Sequence, residues 1–188
     1  MLYVFGLFQK YAELRVMRFL FLSGQGFHLK EIARRTKTSP ATVSKLLAGL
    51  LKDGLIKKQI VGNAHIFKAD TENPIARGLK VLINLLLLQQ QNIVEKILGV
   101  DENAHTIVLY GSFANGTNDN KSDLDLLIIT NSKTKFDSVA RQLENKIGVP
   151  VNIGVFSMLD WKKCRQKNKP FYDSIKTNHF VLHGSGLF

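Results

Sequence analysis

The sequence predicts an α+β protein built in two sections joined by a connector helix, and three observations carry that reading. The first 70 residues read helix, helix, helix, hairpin. A run from Pro74 to Leu98 keeps apolar residues at spacings of three and four. From about residue 101, apolar strand-like runs are separated by helical ones, which means a sheet with helical cover. The expected divisions are 1–72, 73–100 and 101–188.

In the first section, Tyr11 to Leu22 is helical, with apolar residues at Leu14, Val16, Met17 and Phe19 to Leu22. Leu29 to Thr36 is a second, shorter helix. Ser39-Pro40 opens a third, because serine is a preferred N-cap and proline suits the first helical position. That helix runs to Asp53 on the stripe Val43, Leu46, Leu47, Leu50 and Leu51, and stops at Gly54. Two strands follow, Leu55 to Val61 and Ala64 to Lys68, with Gly62-Asn63 as the turn between them. This is the winged-helix order. Met1 to Phe8 is apolar without a basic leader or cleavage site, and is expected to be a buried segment rather than a signal.

The connector opens on another cap-plus-proline pair, Asn73-Pro74, and continues through Ile75, Leu79, Leu82, Leu86, Ile93 and Ile97. One helix from Pro74 to Leu98 would be about 37 Å long. Its Val81–Leu88 stretch is too apolar to lie exposed, so it is expected to pack on both domains or on a second copy in a homodimer. In the third section the expected strands are Thr106–Tyr110, Leu124–Thr130, Pro150–Phe156 and a short Phe180–Leu182. The expected helices are Lys135–Ile147 and Leu159–Gln166. The run from His105 to Ser112 is echoed from His179 to Ser185, and the second copy reads as structural because no carboxylates follow it.

Composition narrows the function classes. With 45% hydrophobic and 22% charged residues, the chain has the balance of a folded soluble protein. No apolar run approaches the ~20 residues of a membrane helix. A lone cysteine, Cys164, excludes an internal disulfide, fits a reducing, cytoplasmic setting and reads as a bystander. The net charge of +11 is uneven: residues 1–70 hold twelve Lys/Arg against four Asp/Glu. A basic first third is the footprint of a protein that meets a polyanion.

The chemistry lies in the run from Leu109 to Ile128, whose skeleton is Gly111-Ser112, ten residues, then Asp123-x-Asp125. Glycine at a strand end lets backbone approach a ligand, and the exposed amides of such a turn suit phosphate oxygens. The Ser112 hydroxyl adds a donor, and Gly116 breaks a short helix so that the chain returns. Asp123 and Asp125 fall on one face of a strand, where two carboxylates make a hard-oxygen site for Mg2+.

Gly111-Ser-Phe-Ala-Asn-Gly116 followed by Ser122-Asp-Leu-Asp-Leu126 resembles the signature of minimal nucleotidyltransferases of the polymerase-beta-like superfamily, over roughly Thr106 to Phe156. The resemblance implies a small mixed sheet and Mg2+-dependent transfer from an NTP, with Mn2+ as the alternative ion. It implies Asp123 and Asp125 as catalytic metal ligands, with Gly111 and Ser112 at the nucleotide. Asn115 stands where the family often has arginine. Asn152, in Val149-Pro-Val-Asn-Ile-Gly-Val155, stands where a third carboxylate is usual, and an amide neither acts as a general base nor binds metal as a carboxylate does. The resemblance therefore leaves two functions open: an active transferase, and a regulator whose degenerate core senses nucleotide. By fold analogy alone, minimal nucleotidyltransferases also serve as antitoxins with a helical toxin partner, which would make the wing an autoregulator.

Residues 29–68 resemble winged helix-turn-helix modules of prokaryotic transcription regulators, which implies DNA as a partner. The helix opened by Ser39 would enter the major groove through Ser39, Ala41, Thr42, Ser44 and Lys45. Arg34, Arg35, Lys37, Lys57 and Lys58 would sit near phosphates. The histidines show no metal-ligand spacing, and Phe171, Tyr172 and Phe180 read as core.

Overall fold

A computed structural model describes residues 10–187, and the chain divides into two compact units, Met1–Leu86 and Leu87–Phe188. The Met1–Phe8 segment lies outside the described residues. The first unit contains α1 (Ala12–Ser23), β1 (Phe27–His28), α2 (Leu29–Thr36), α3 (Pro40–Lys52), β2 (Ile56–Val61) and β3 (Ala64–Ala69). Ser39 caps α3 as its sequence predicts: its backbone is extended and its Oγ accepts from the Thr42 amide at 3.1 Å. Gly54 closes the same helix at φ +66°. Val16, Leu20, Phe21, Ile32, Val43 and Leu47 are buried at the centre of this unit.

The three-stranded sheet has the order β1-β3-β2, all antiparallel. Strand β1 is absent from the sequence reading, since two residues give no periodic signal. The packing explains it: a side chain at Gly26 would place its Cβ 2.3 Å from Ile66 Cγ2, so glycine lets β1 lie against β3.

The connector departs from the expectation of one helix. It forms α4 (Pro74–Gln90) and α5 (Ile93–Leu98), separated by Asn92 at φ +50°. Asparagine tolerates this left-handed conformation better than most residues, so an apolar spacing that continues in phase conceals the break. At the other end Asn73 Oδ1 accepts from the amides of Ile75 and Ala76 at 2.8 and 3.2 Å, the expected cap. The Val81–Leu88 stretch has Ile83, Asn84, Leu86 and Leu88 buried, while Leu82 is exposed. The division between the two units falls inside α4.

The second unit adds β4 (Thr106–Tyr110), α6 (Gly111–Asn115), β5 (Leu124–Ile129), α7 (Asp137–Ile147), β6 (Val151–Phe156), α8 (Met158–Lys167), α9 (Lys169–Thr177) and β7 (His179–Gly184). Its sheet runs β6-β5-β4-β7, with β5 and β6 parallel and the other pairs antiparallel. The parallel pair is joined through α7, the crossover that parallel strands require. Val108, Leu127 and Ile129 pack with Trp161, Cys164 and Ile175 from α8 and α9 on one face. Ile107, Leu109, Leu126 and Ile128, of the opposite parity, are buried on the other. The two echoed segments are neighbours, β4 and β7. Gly184 sits at φ +82° with its missing Cβ 1.8 Å from the His105 carbonyl oxygen, so the second Gly-Ser turn serves packing.

Candidate active site and candidate nucleic-acid interface

The site in the second unit grows out of strand register. Tyr110 pairs with Asp125 across β4 and β5, and Asp125 pairs with Asn152 across β5 and β6. Gly111 turns out of β4 at φ +70°, and a Cβ there would lie 2.4 Å from Asp125 Oδ2. Only glycine therefore lets the turn approach the carboxylate. Ser112 follows in α6, and its carbonyl receives the amides of Thr117 and Asn118 at 3.1 and 3.3 Å, folding the loop back over the turn. Gly116 ends α6 at φ +74°, as its position predicts.

The loop is then stiffened by an Asx-type turn. Asp119 Oδ1 accepts from the Lys121 amide and the Ser122 hydroxyl, each at 2.9 Å, which delivers the chain to Asp123. Asp123 stands just ahead of β5 and Asp125 is its second residue. Their carboxylates converge on one group: Asn152 Nδ2 donates to Asp123 Oδ2 at 3.1 Å and to Asp125 Oδ1 at 3.2 Å. Asn152 thus bridges the two carboxylates from the neighbouring strand. Asn115, at the family's frequent arginine position, caps its own turn by accepting from the Thr117 amide and hydroxyl at 3.0 and 2.6 Å.

The electrostatics follow from this crowding. Burial raises the Asp125 carboxyl above its ordinary range, the Asn152 amide opposes that shift, and the Asp123 charge adds to it. Burial raises the Tyr110 phenol, with the Asp125 charge adding to the effect. Two carboxylates and an amide converge here, and among the described residues no group of three or more His, Cys, Asp or Glu is placed to hold a metal.

Tyr110 and Phe171 were given no role at this site by sequence reasoning. Phe171 lies edge-on to Tyr110 at 5.9 Å and stacks on Phe156 at 6.0 Å. It is carried by α9, a helix the sequence reading missed, although Asn168-Lys-Pro170 repeats the cap-plus-proline signal used at Ser39 and Asn73. Phe171 and Tyr172 pack on the core as expected, whereas Phe180 is exposed on the edge strand β7. Cys164 is buried, and burial raises its thiol pKa.

In the first unit, α2 and α3 meet through Lys37 at φ +50°. Ser39, Ala41, Thr42, Ser44 and Lys45 are all exposed along the start of α3. Ser39 and Thr42 are also engaged with each other, their hydroxyl oxygens 2.8 Å apart. Arg34 and Arg35 both pair with Glu31, and Lys57 pairs with Asp70 and Glu72. Lys37, Lys45 and Lys58 carry no ion pair among the described residues. The wing tip is apolar, with Ile60 69% and Val61 59% exposed. Among the described residues no helix is long and apolar enough to cross a membrane.

Residues 92–184 match the family model of the polymerase beta nucleotidyltransferases, and residues 14–59 match that of the IclR helix-turn-helix domain. No curated protein matches the chain. Among solved structures, a toxin–antitoxin with AMP-PNP is 19% identical, with 50% of this chain and 73% of that chain covered and a TM-score of 0.38. A mutant of the toxin–antitoxin MntA-HpeT is 17% identical, with 51% and 72% covered and a TM-score of 0.37.

Proposed function

Because the chain joins an IclR-type helix-turn-helix domain to a polymerase-beta nucleotidyltransferase domain, we propose that it is a cytoplasmic, DNA-associated nucleotidyltransferase. The first unit binds DNA, and the second takes an NTP with Mg2+ and passes its nucleotidyl group to an acceptor hydroxyl. The observation that carries this reading is the convergence of Asp123 and Asp125 on one point beside Gly111. Two carboxylates on one point suit Mg2+, which takes one or two carboxylates and completes its shell with water and phosphate oxygens. The Asn152 carbonyl oxygen would add a neutral ligand once its amide turns. When bound, the ion neutralises charge on the phosphates and on the raised Asp125. Gly111 admits the phosphate chain, and the Ser112 hydroxyl donates to it. In the transfer, the acceptor oxygen bonds to the α-phosphorus, the bond from that phosphorus to the bridging oxygen breaks, and pyrophosphate leaves with the electron pair. The acceptor proton goes to water, because the Asn152 amide has no basic lone pair to receive it.

Asn152 favours a second reading, in which nucleotide binds without turnover. The chain is then a transcription regulator, or the antitoxin of a toxin–antitoxin pair with a helical partner, and the bound nucleotide sets its DNA affinity. One experiment separates the two. The full chain is melted with Mg2+ and each NTP, and label from α-32P-NTPs is followed in the same samples. A bound NTP at about 100 times its Kd stabilises the fold by about 2.7 kcal/mol. A rise confined to wild type and absent from Asp123→Asn/Asp125→Asn is expected. Label transfer that increases in Asn152→Asp supports the transferase; a thermal rise with no transfer in either protein leaves the regulator. No rise with any NTP sinks both.

A further inference from the structure

A cavity of about 390 Å3 opens on the second unit between α8, α9 and the end of β6. One wall is aromatic: the half-buried rings of Phe156 and Phe171 stack with 23° between their planes. The opposite side is charged. Lys163 and Lys167 stand one turn apart on the same face of α8, exposed and without an ion pair among the described residues. Asp160, a turn earlier, also lines the cavity and accepts from the Ser157 hydroxyl at 2.7 Å. Asn168 turns its Oδ1 to the Phe171 amide at 3.4 Å, which leaves its NH2 group as a donor.

We propose that this cavity is a second nucleotide subsite, taking a phosphorylated nucleoside without a divalent cation. An aromatic face, two ammonium groups and a carboxylate match the three parts of such a ligand: the base, the phosphate and the sugar hydroxyls. The volume lies within the range of small-molecule sites. A purely apolar ligand would strand the lysines, and bare phosphate would leave the rings unused.

The cavity lies on the same face of the sheet as the carboxylate site. Asn152, Gly154 and Phe156 share one face of β6, in register with Asp125, Leu127 and Ile129 of β5. Gly154 has no side chain between Asn152 and Phe156, and a Cβ there would meet Leu127 and Phe156 at 3.6 Å. Asn152 and Phe156 lie about 13 Å apart along the strand. That shared face puts the cavity on the same side of the sheet as the carboxylates, and a nucleotide seated there would supply the acceptor hydroxyl in the reaction proposed above. That last role rests on the transferase reading; the binding does not.

The test is equilibrium dialysis of the full chain in EDTA against 5′-AMP, adenosine, inorganic phosphate and a short oligoadenylate. Saturable binding of 5′-AMP or the oligonucleotide is expected, with adenosine and phosphate each weaker by about tenfold or more. Lys163→Gln/Lys167→Gln should weaken it by a similar factor, and Asp123→Asn/Asp125→Asn should leave it unchanged. A preference for the oligonucleotide identifies a strand end as the ligand, and equal affinity identifies a free mononucleotide. The proposal is overturned by no saturable binding in EDTA, by phosphate binding as well as AMP, or by loss of binding in the aspartate variant. Failure of the transferase reading alone would leave the dialysis result standing.

Discussion

At the scale of single residues, three side chains on adjacent strands set the character of the second unit. Asp125 is held by backbone register between Tyr110 and Asn152. Its raised pKa has a consequence for stability. The folded chain holds the carboxyl proton more tightly than the unfolded one, so protonated Asp125 favours folding. That contribution is full below the unfolded pKa, near 4, and is lost as pH rises through the higher folded value. At neutral pH and without metal, the ionised carboxylate is a standing cost. Asp125→Asn should therefore melt above wild type in EDTA at pH 7, and the difference should close below about pH 4. A variant that melts lower at pH 7 would show that Asp125 is not under electrostatic strain. Glycine matters at this scale too, because Gly111 is the residue that lets the turn touch the carboxylate.

At the scale of elements, the cap chemistry of two helix starts is legible in the sequence. Ser39 begins α3 and Asn73 begins α4 through side-chain acceptance of backbone amides. Removing a serine cap costs about 1 kcal/mol. Ser39→Ala should lower the stability of the first unit by that amount in urea unfolding, with no change in the Mg2+–NTP response of the second. An unaltered midpoint would mean that Pro40 and the tertiary packing of α3 alone hold its start. The misses also have physical causes. Helix α9 was overlooked because its cap signal lies in a lysine-rich stretch without a long apolar stripe. The connector was read as one helix because apolar spacing carries no information about a single left-handed residue such as Asn92.

At the scale of the whole molecule, charge points to DNA more narrowly than its total suggests. Of the basic residues expected at phosphates, Arg34, Arg35 and Lys57 already have carboxylate partners, and among the described residues Lys37 and Lys58 do not. Lys45, at the start of α3, is likewise without an ion pair among the described residues. Counterion release ties salt dependence to the number of phosphates neutralised. Lys37→Gln and Lys58→Gln should each weaken DNA binding across sequences and reduce the salt slope by about 0.9. Lys57→Gln should change the slope least, since Asp70 and Glu72 hold its ammonium group. An equal loss in all three would mean that the Lys57 pairing opens on DNA.

The sequence by itself determined the two-part α+β organisation, the helix starts at Ser39 and Asn73 and the Gly-Ser to Asp-x-Asp skeleton, because caps, turns and strand parity are local properties of the chain. The resemblance to the polymerase-beta-like nucleotidyltransferases, rather than any local pattern, singled out Asn152. Only the tertiary structure decided what that asparagine does, since bringing its amide to both aspartates depends on the pairing of β5 with β6, 27 and 29 residues apart. The same holds for the aromatic cavity: Phe156 and Phe171 meet because α8 and α9 fold back over the sheet, a contact that no spacing along the chain encodes.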